Sequence, residues 1–260
     1  MTTLGGLSLH ELAAKIAVEG PAKHEPARRR LRGLVGSEWV FDTLDAEYVW
    51  ENPHYPLFYV PLTCLEKANC RRLYRPPVAD SRGFWVGTLS VADRKIDVAG
   101  FTSGPLKGLV KIPPTSLDAW YAEDEKLLGP HPKDPYKRIE CLPSSREVLI
   151  QVEGVFVAKS SNNVFLHETG CRTRYYLSAT PTAMDRNMLV PSDTTTFCPY
   201  KGQASYYHLQ VPMPDGSVVV VRDAIWYYEY PTAESAQIQG RLCFYNEKVQ
   251  IWVDGVRENN

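Results

Sequence analysis

One stretch of this chain repeats, and the repeat restricts the fold more than any other feature. Trp39–Glu51 and Phe156–Glu168 align without a gap, so that Val40 falls on Val157, Tyr48 on Phe165, Val49 on Leu166 and Glu51 on Glu168. At the same offset Phe58-Tyr59 falls on Tyr175-Tyr176. Each copy reads as strand, polar turn, strand, acidic residue, loop and aromatic pair. A chain that repeats such a unit must build two similar cores, and 260 residues allow two domains of roughly 110–130 residues each. Two further echoes follow: Phe84–Leu89 with Ala204–Leu209, and Arg146–Gly154 with Glu247–Gly255.

The residues between the echoes are those of short strands broken by turns. Pro contributes 20 residues and Tyr 15, and Val, Ile, Thr and Phe come in short bursts. Alternation predicts strands at Glu147–Glu153, Val155–Lys159, Val164–His167, Ala204–Val211, Ser217–Arg222, Ala224–Tyr230, Gly240–Asn246 and Val249–Val253. Pro214-Asp215-Gly216 signals a hairpin. Leu9, Leu12, Ala13 and Ile16 predict a short amphipathic helix over 8–18 with Ser8 as its N-cap, and Ser116–Leu128 is a second helical candidate. The expected fold class is therefore all-β with minor α. It divides into a helical lead (1–30), a degenerate first repeat with its connector (31–142) and a second repeat (143–260).

Charge and motif content exclude several functions. The net charge is −1, so no basic field points to nucleic acid, and the run Arg28–Arg32 reads as a solvated turn. No segment approaches the ~18–20 apolar residues of a membrane span. No basic-then-apolar leader is present, so a cytoplasmic location is expected. The six cysteines form no C-x-x-C pair, which argues for free thiols and against a zinc site. Dinucleotide, Walker, zinc-hydrolase and nucleophile-elbow motifs are all missing. No cofactor and no metal are expected; the expected partner is a small-molecule ligand or substrate.

The polar residues of the second copy carry the chemistry. In Cys198-Pro199-Tyr200-Lys201-Gly202 a fixed φ and a permissive glycine hold a lysine on a stiff turn, where desolvation would lower its pKa and allow proton transfer. The first copy has no such segment around Val78–Arg82. Glu168 closes an apolar strand, where it either accepts a proton or forms a structural ion pair with Arg172 or Arg174. The first copy keeps the acid as Glu51 but has Leu57 in place of Arg174. Tyr175, Tyr176, Tyr200, Tyr206, Tyr207, Trp226, Tyr227, Tyr228 and Tyr230 are dense enough to line a cavity for a flat, partly polar ligand, or simply to fill a core. His131–Tyr136, with two prolines, reads as a stiff linker pinned by Asp134 and Arg138.

Taken together, several segments resemble the tandem form of the DUF427 family. They are Asp118–Glu125, His131–Arg138, Pro143–Arg146, Leu166–Gly170, Arg174–Tyr176, Cys198–Tyr206, Ile225-Trp226 and Val253–Gly255. The resemblance implies two tandem β-tent-like domains, each of small antiparallel sheets leaning together around a concave space. It implies fold and pocket, without a metal and without a reaction. The combined expectation is a cofactor-independent enzyme, a cyclase, isomerase or lyase acting by acid–base chemistry on an aromatic or carbonyl-bearing metabolite. Glu168, Lys201 and Tyr206 would be catalytic, and Arg174, Tyr176, Tyr200 and Trp226 would bind substrate in a hollow between the β layers. The alternative is a non-catalytic small-molecule-binding or interaction module with the same pocket.

Overall fold

Ser8 starts the first helix by a reciprocal cap. Its side chain accepts from the backbone N–H of Glu11, and the Glu11 carboxylate accepts from the Ser8 N–H. The computed structural model describes residues 6–66, 71–129 and 131–259 and divides into two units between Asp134 and Pro135. Cys70 lies outside the described residues; Cys64, Cys141, Cys171, Cys198 and Cys243 are free thiols.

The first unit contains α1 (Leu9–Glu19), β1 (Lys23–Pro26), β2 (Leu31–Val35), β3 (Glu38–Thr43), β4 (Glu47–Asn52), β5 (Tyr55–Pro61) and α2 (Leu62–Glu66). It continues with β6 (Arg71–Tyr74), β7 (Phe84–Val91), β8 (Arg94–Phe101), β9 (Leu109–Lys111), β10 (Ala119–Ala122) and β11 (Glu125–Lys126). The second unit contains β12 (Ile139–Ser144), β13 (Val148–Val152), β14 (Val155–Ser160), β15 (Asn163–Glu168), β16 (Arg174–Leu177) and β17 (Leu189–Cys198). It ends with β18 (Gly202–Pro212), β19 (Val218–Tyr227), β20 (Leu242–Phe244), β21 (Gln250–Val253) and β22 (Val256–Arg257).

Each unit pairs a seven-stranded with a four-stranded antiparallel sheet. The orders are β1-β4-β5-β9-β8-β7-β6 and β11-β10-β2-β3 in the first, and β12-β15-β16-β20-β19-β18-β17 and β14-β13-β21-β22 in the second. Strand for strand, the two orders are the same. The expected all-β architecture of small antiparallel sheets with a short N-terminal helix is therefore present. Alternation along each strand sends one set of side chains to a core between the sheets. Val40, Phe41, Tyr48, Phe58, Trp85 and Trp120 fill it in the first unit, and Val157, Phe165, Tyr175, Leu209, Ile225 and Phe244 in the second.

Several expectations are corrected. Ser116–Leu128 is not a helix: Ala119 pairs with Leu34 across β2, and Glu123, at positive φ, turns the chain back into β11. Ser217–Arg222 and Ala224–Tyr230 form one strand, β19, kinked where Asp223 takes a positive φ. The pairing with β18 shifts register there, so the break in alternation marks a bulge rather than a loop. The echo between Arg146–Gly154 and Glu247–Gly255 does not relate equivalent strands. β13 and β21 are neighbours in one sheet, and the likeness comes from their hairpin turns, Glu153-Gly154 and Asp254-Gly255, both at positive φ. The run Arg28–Arg32 is only partly a solvated turn: Leu31 is buried in β2, and Arg30 and Arg32 pair with Asp42 and Asp124. The lead contributes β1 as an edge strand beside β4.

The outer face of the first seven-stranded sheet is covered by α1. Leu12, Ala13 and Ile16 pack with Val49, Leu57, Tyr59, Phe84, Ala99 and Phe101. Burying side chains such as Leu12 and Ile16 contributes about 1.5–3 kcal/mol each. Ile16→Ala is expected to lower unfolding free energy by about 2–4 kcal/mol, and Ser8→Ala by about 1 kcal/mol, in denaturant titrations of the full chain. A change under about 0.5 kcal/mol for Ile16→Ala would show that α1 does not hold this face.

Candidate functional site

The period of two that fills the core of the second unit also sends a second set of side chains to the opposite face of its seven-stranded sheet. Arg174 and Tyr176 on β16, Trp226 on β19, Tyr228 just beyond it, Tyr206 on β18 and Cys243 on β20 share this face. Tyr206 lies directly across from Trp226, Trp226 from Cys243, and Cys243 from Tyr176. Tyr176, Tyr206, Trp226, Tyr228 and Cys243 form a cluster separate from the core between the sheets. Here the outer face carries a cleft of about 260 Å³, lined by these aromatics together with Glu168, Cys171, Arg172, Arg174, Thr196, Lys201 and Tyr245. The expected hollow between β layers is thus corrected: the space between the sheets is packed core, and the cleft lies on the far side of the larger sheet.

The turn from β17 to β18 delivers Lys201. The Lys201 N–H donates to the Cys198 carbonyl at 3.2 Å, and Gly202 reverses the chain at φ 99°. A side chain there would be strained by that φ and would crowd the Tyr230 carbonyl. Lys201 Nζ donates to Glu168 Oε2 at 2.6 Å, and both side chains are 14% exposed. Glu168 Oε1 makes no hydrogen bond among the described residues.

Burial works against the Lys201 charge, but the Cys198 thiol and the Glu168 carboxylate outweigh it, so its pKa lies above the ordinary lysine value. The expected lowering of this pKa is therefore corrected. Desolvation does act on Lys201, but a carboxylate at contact distance reverses its sign. Lys201 is a charged donor at neutral pH.

Arg174 and Arg172 do not pair with Glu168, as the structural alternative required. The two Nη atoms of Arg174 meet Glu247 at 3.1 Å each, Nη1 also donates to Asn246 Oδ1, and Arg172 reaches Glu247 at 3.4 Å. Burial again opposes the Arg174 charge, and the Glu247 bonds more than offset it. Its guanidinium lies over Trp226 and Tyr245, at 5.4 and 5.8 Å from the ring centroids. Tyr206 Oη is 2.7 Å from Thr196 Oγ1 and 3.4 Å from Tyr245 Oη. Trp226 Nε1 donates to Tyr176 Oη at 3.0 Å.

Of the residues expected from sequence, Glu168, Lys201, Tyr206, Arg174, Tyr176 and Trp226 all line this cleft, and Tyr200 does not. Tyr200 is buried elsewhere, its carbonyl accepting from Thr232 and Ser235, because it sits one residue off the turn position that points Lys201 inward. Tyr245 and Glu247 went unread; both follow the short strand β20, whose three residues give too little periodicity to show a face. The connector does not reach the cleft. Asp134 accepts from Trp50 Nε1 at 2.9 Å and His131 stacks on Tyr55 within the first unit, while the Arg138 N–H donates to Thr169 within the second. Among the described residues no group of His, Cys, Asp and Glu could hold a metal ion. Burial raises the Cys243 thiol pKa well above its ordinary range, so this residue of the shared face stays a neutral thiol.

The first unit shows what the same face becomes without a cleft. By strand pairing, Leu57, Val86, Ala99 and Phe101 stand where Arg174, Tyr206, Trp226 and Tyr228 stand. Glu51, the counterpart of Glu168, is not left without a base. Lys111 on β9, at the position of Cys243, pairs with it, and Tyr59 Oη donates to it at 3.0 Å. Lys111 is 3% exposed, and burial takes its pKa below the ordinary value despite Glu51.

Residues 140–255 match a family model described as Domain of unknown function (DUF427). The match runs from β12 to the turn before β22, and so covers the unit that carries the cleft. No curated protein matches the chain. Among the described residues no helix is long and apolar enough to cross a membrane.

Lys201→Met would strand Glu168 in a largely buried place and is expected to cost about 3 kcal/mol at pH 7. Because the folded pKa of Lys201 exceeds its unfolded one, its contribution is complete below pH 10.5 and is lost as pH rises through the folded value. Denaturant titrations of wild type and Lys201→Met at pH 8 and pH 11.5 check this: the gap must shrink at the higher pH. A gap that widened there would contradict the assignment.

Proposed function

We propose that the second unit, the part of the chain that matches DUF427, is a small-molecule enzyme that needs no redox cofactor. It works by acid–base chemistry on an aromatic or carbonyl-bearing metabolite, in a cyclisation, isomerisation or lyase step. The observation that carries this reading is the convergence of Glu168, Lys201, Arg174 and Tyr206 with aromatic walls on one cleft. In this reading Glu168 takes a proton from the substrate through its free Oε1. The Lys201 ammonium, two of whose N–H bonds remain beyond the one to Glu168, stabilises the negative charge that develops on the substrate oxygen. Tyr206, held between Thr196 and Tyr245, returns a proton at the other end of the ligand. Arg174, fixed by Glu247, offers its face to the ligand as part of the aromatic wall.

The first unit is, in the same reading, a second copy of the domain whose site has been closed by α1. The shared strand order and the gapless alignment of Trp39–Glu51 with Phe156–Glu168 support this.

The rival reading is a binding module without turnover. One observation favours it: a Lys–Glu pair recurs beneath α1 in the first unit, where it serves packing. Incubation of wild type and Glu168→Gln with a metabolite extract, followed by chromatography and mass spectrometry, separates the two. The enzyme reading predicts a compound consumed by wild type and at least about 100-fold more slowly by Glu168→Gln. Its product would have unchanged mass but shifted retention for an isomerase or cyclase, and two fragments for a lyase. Compounds retained by the protein yet never altered would establish the module.

A further inference from the structure

One buried phenol in the cleft has a hydroxyl proton without a protein acceptor among the described residues. Tyr228 is 4% exposed, lines the cleft, and its hydroxyl makes no hydrogen bond among the described residues. Nor is that oxygen sealed in packed protein, since it is not among the inaccessible unpaired atoms; it opens into the cleft. Tyr176, next to it, is fully buried, and its oxygen accepts from Trp226 Nε1. The two rings lie 6.5 Å apart. A buried hydroxyl without a partner costs about 1–3 kcal/mol, a cost that an acceptor on a ligand would remove.

The other polar groups specify that acceptor. Lys201 adds single-point donors on the same cleft, and the Nη1–Nη2 edge of Arg174 is held by Glu247. Three cations (Arg172, Arg174, Lys201) face two carboxylates (Glu168, Glu247), which leaves one positive charge and suits a monoanion rather than a phosphate dianion. Trp226 and Tyr245, with ring centroids 4.3 Å apart, form a wall that suits a flat conjugated ligand. We propose that Tyr228, on the same cleft as Lys201, forms with it an oxyanion site that receives the single charged oxygen of a conjugated ligand, an enolate or phenolate. Burial holds the Tyr228 phenol far above its ordinary pKa, so it stays a protonated donor at all working pH values.

This inference rests on reading the cleft as a small-molecule site, and the two can fail separately. The probes are 4-nitrophenol, whose yellow anion reports its own ionisation, and 4-nitroanisole, which has the same ring and no acidic proton. With wild type, bound 4-nitrophenol should ionise about one pH unit lower than free 4-nitrophenol, a tenfold preference for the anion. Tyr228→Phe should remove at least half of that shift and weaken anion binding about 5–10-fold, with 4-nitroanisole binding unchanged. Lys201→Gln is the second variant should the first fail to fold, with near-ultraviolet circular dichroism as the control. Binding of 4-nitrophenol at its free pKa, or an unaltered shift in both folded variants, overturns the oxyanion site while leaving a ligand cleft. Binding of neither probe at millimolar concentration overturns the oxyanion site and the small-molecule reading together. Neither probe undergoes turnover, so the result is independent of whether Glu168 is catalytic.

Discussion

A seven-stranded antiparallel sheet has two faces, and water tolerates neither if both are apolar. This constraint governs the whole chain. In each unit one face is covered by a four-stranded sheet, which leaves the other to be settled locally. The first unit settles it by making the face apolar, with Leu57, Val86, Ala99 and Phe101, and laying α1 across it. The second makes it polar and aromatic and keeps a cleft. The same strand order thus yields a packed wall in one unit and a cleft in the other, through a handful of side chains at alternate positions.

Electrostatics in the cleft follow from how little water it admits. Each buried charge has a partner at contact distance: Lys201 has Glu168, and Arg174 has Glu247. These pairs keep their charges in place rather than neutralising them by proton loss, so the cleft presents fixed ammonium and guanidinium groups around phenols that stay protonated. Such a lining changes little over the physiological pH range. In the proposed function such a lining would favour ligands that bring negative charge on oxygen, because charge–dipole terms grow where water is excluded.

Much of this was legible from residue order. The alternation in Val148–Val152, the gapless pairing of Tyr48-Val49 with Phe165-Leu166, and the Ser8 cap each report a local preference with a short-range cause. The partner of Glu168 was not legible, because the competing bases lie at very different separations along the chain. Arg172 and Arg174 are close in sequence yet turn to Glu247, while Lys201 arrives from a distant turn. The base of Glu51 escaped notice for the same reason: Lys111 stands at the position of Cys243, and no alignment of the copies matches one lysine with the other.

By itself the sequence determined that the chain would be mostly strand, with a strand–turn–strand–acid pattern appearing twice and phenolic residues gathered in the later half. Those are properties of period, propensity and turn chemistry, which act over a few residues. Only the tertiary structure decided which sheet face those residues share, that the space between the sheets is core, and that Tyr200 stands apart while Tyr245 joins. Strand pairing brings together residues far apart in the chain, and a one-residue change of register would send each side chain to the opposite face.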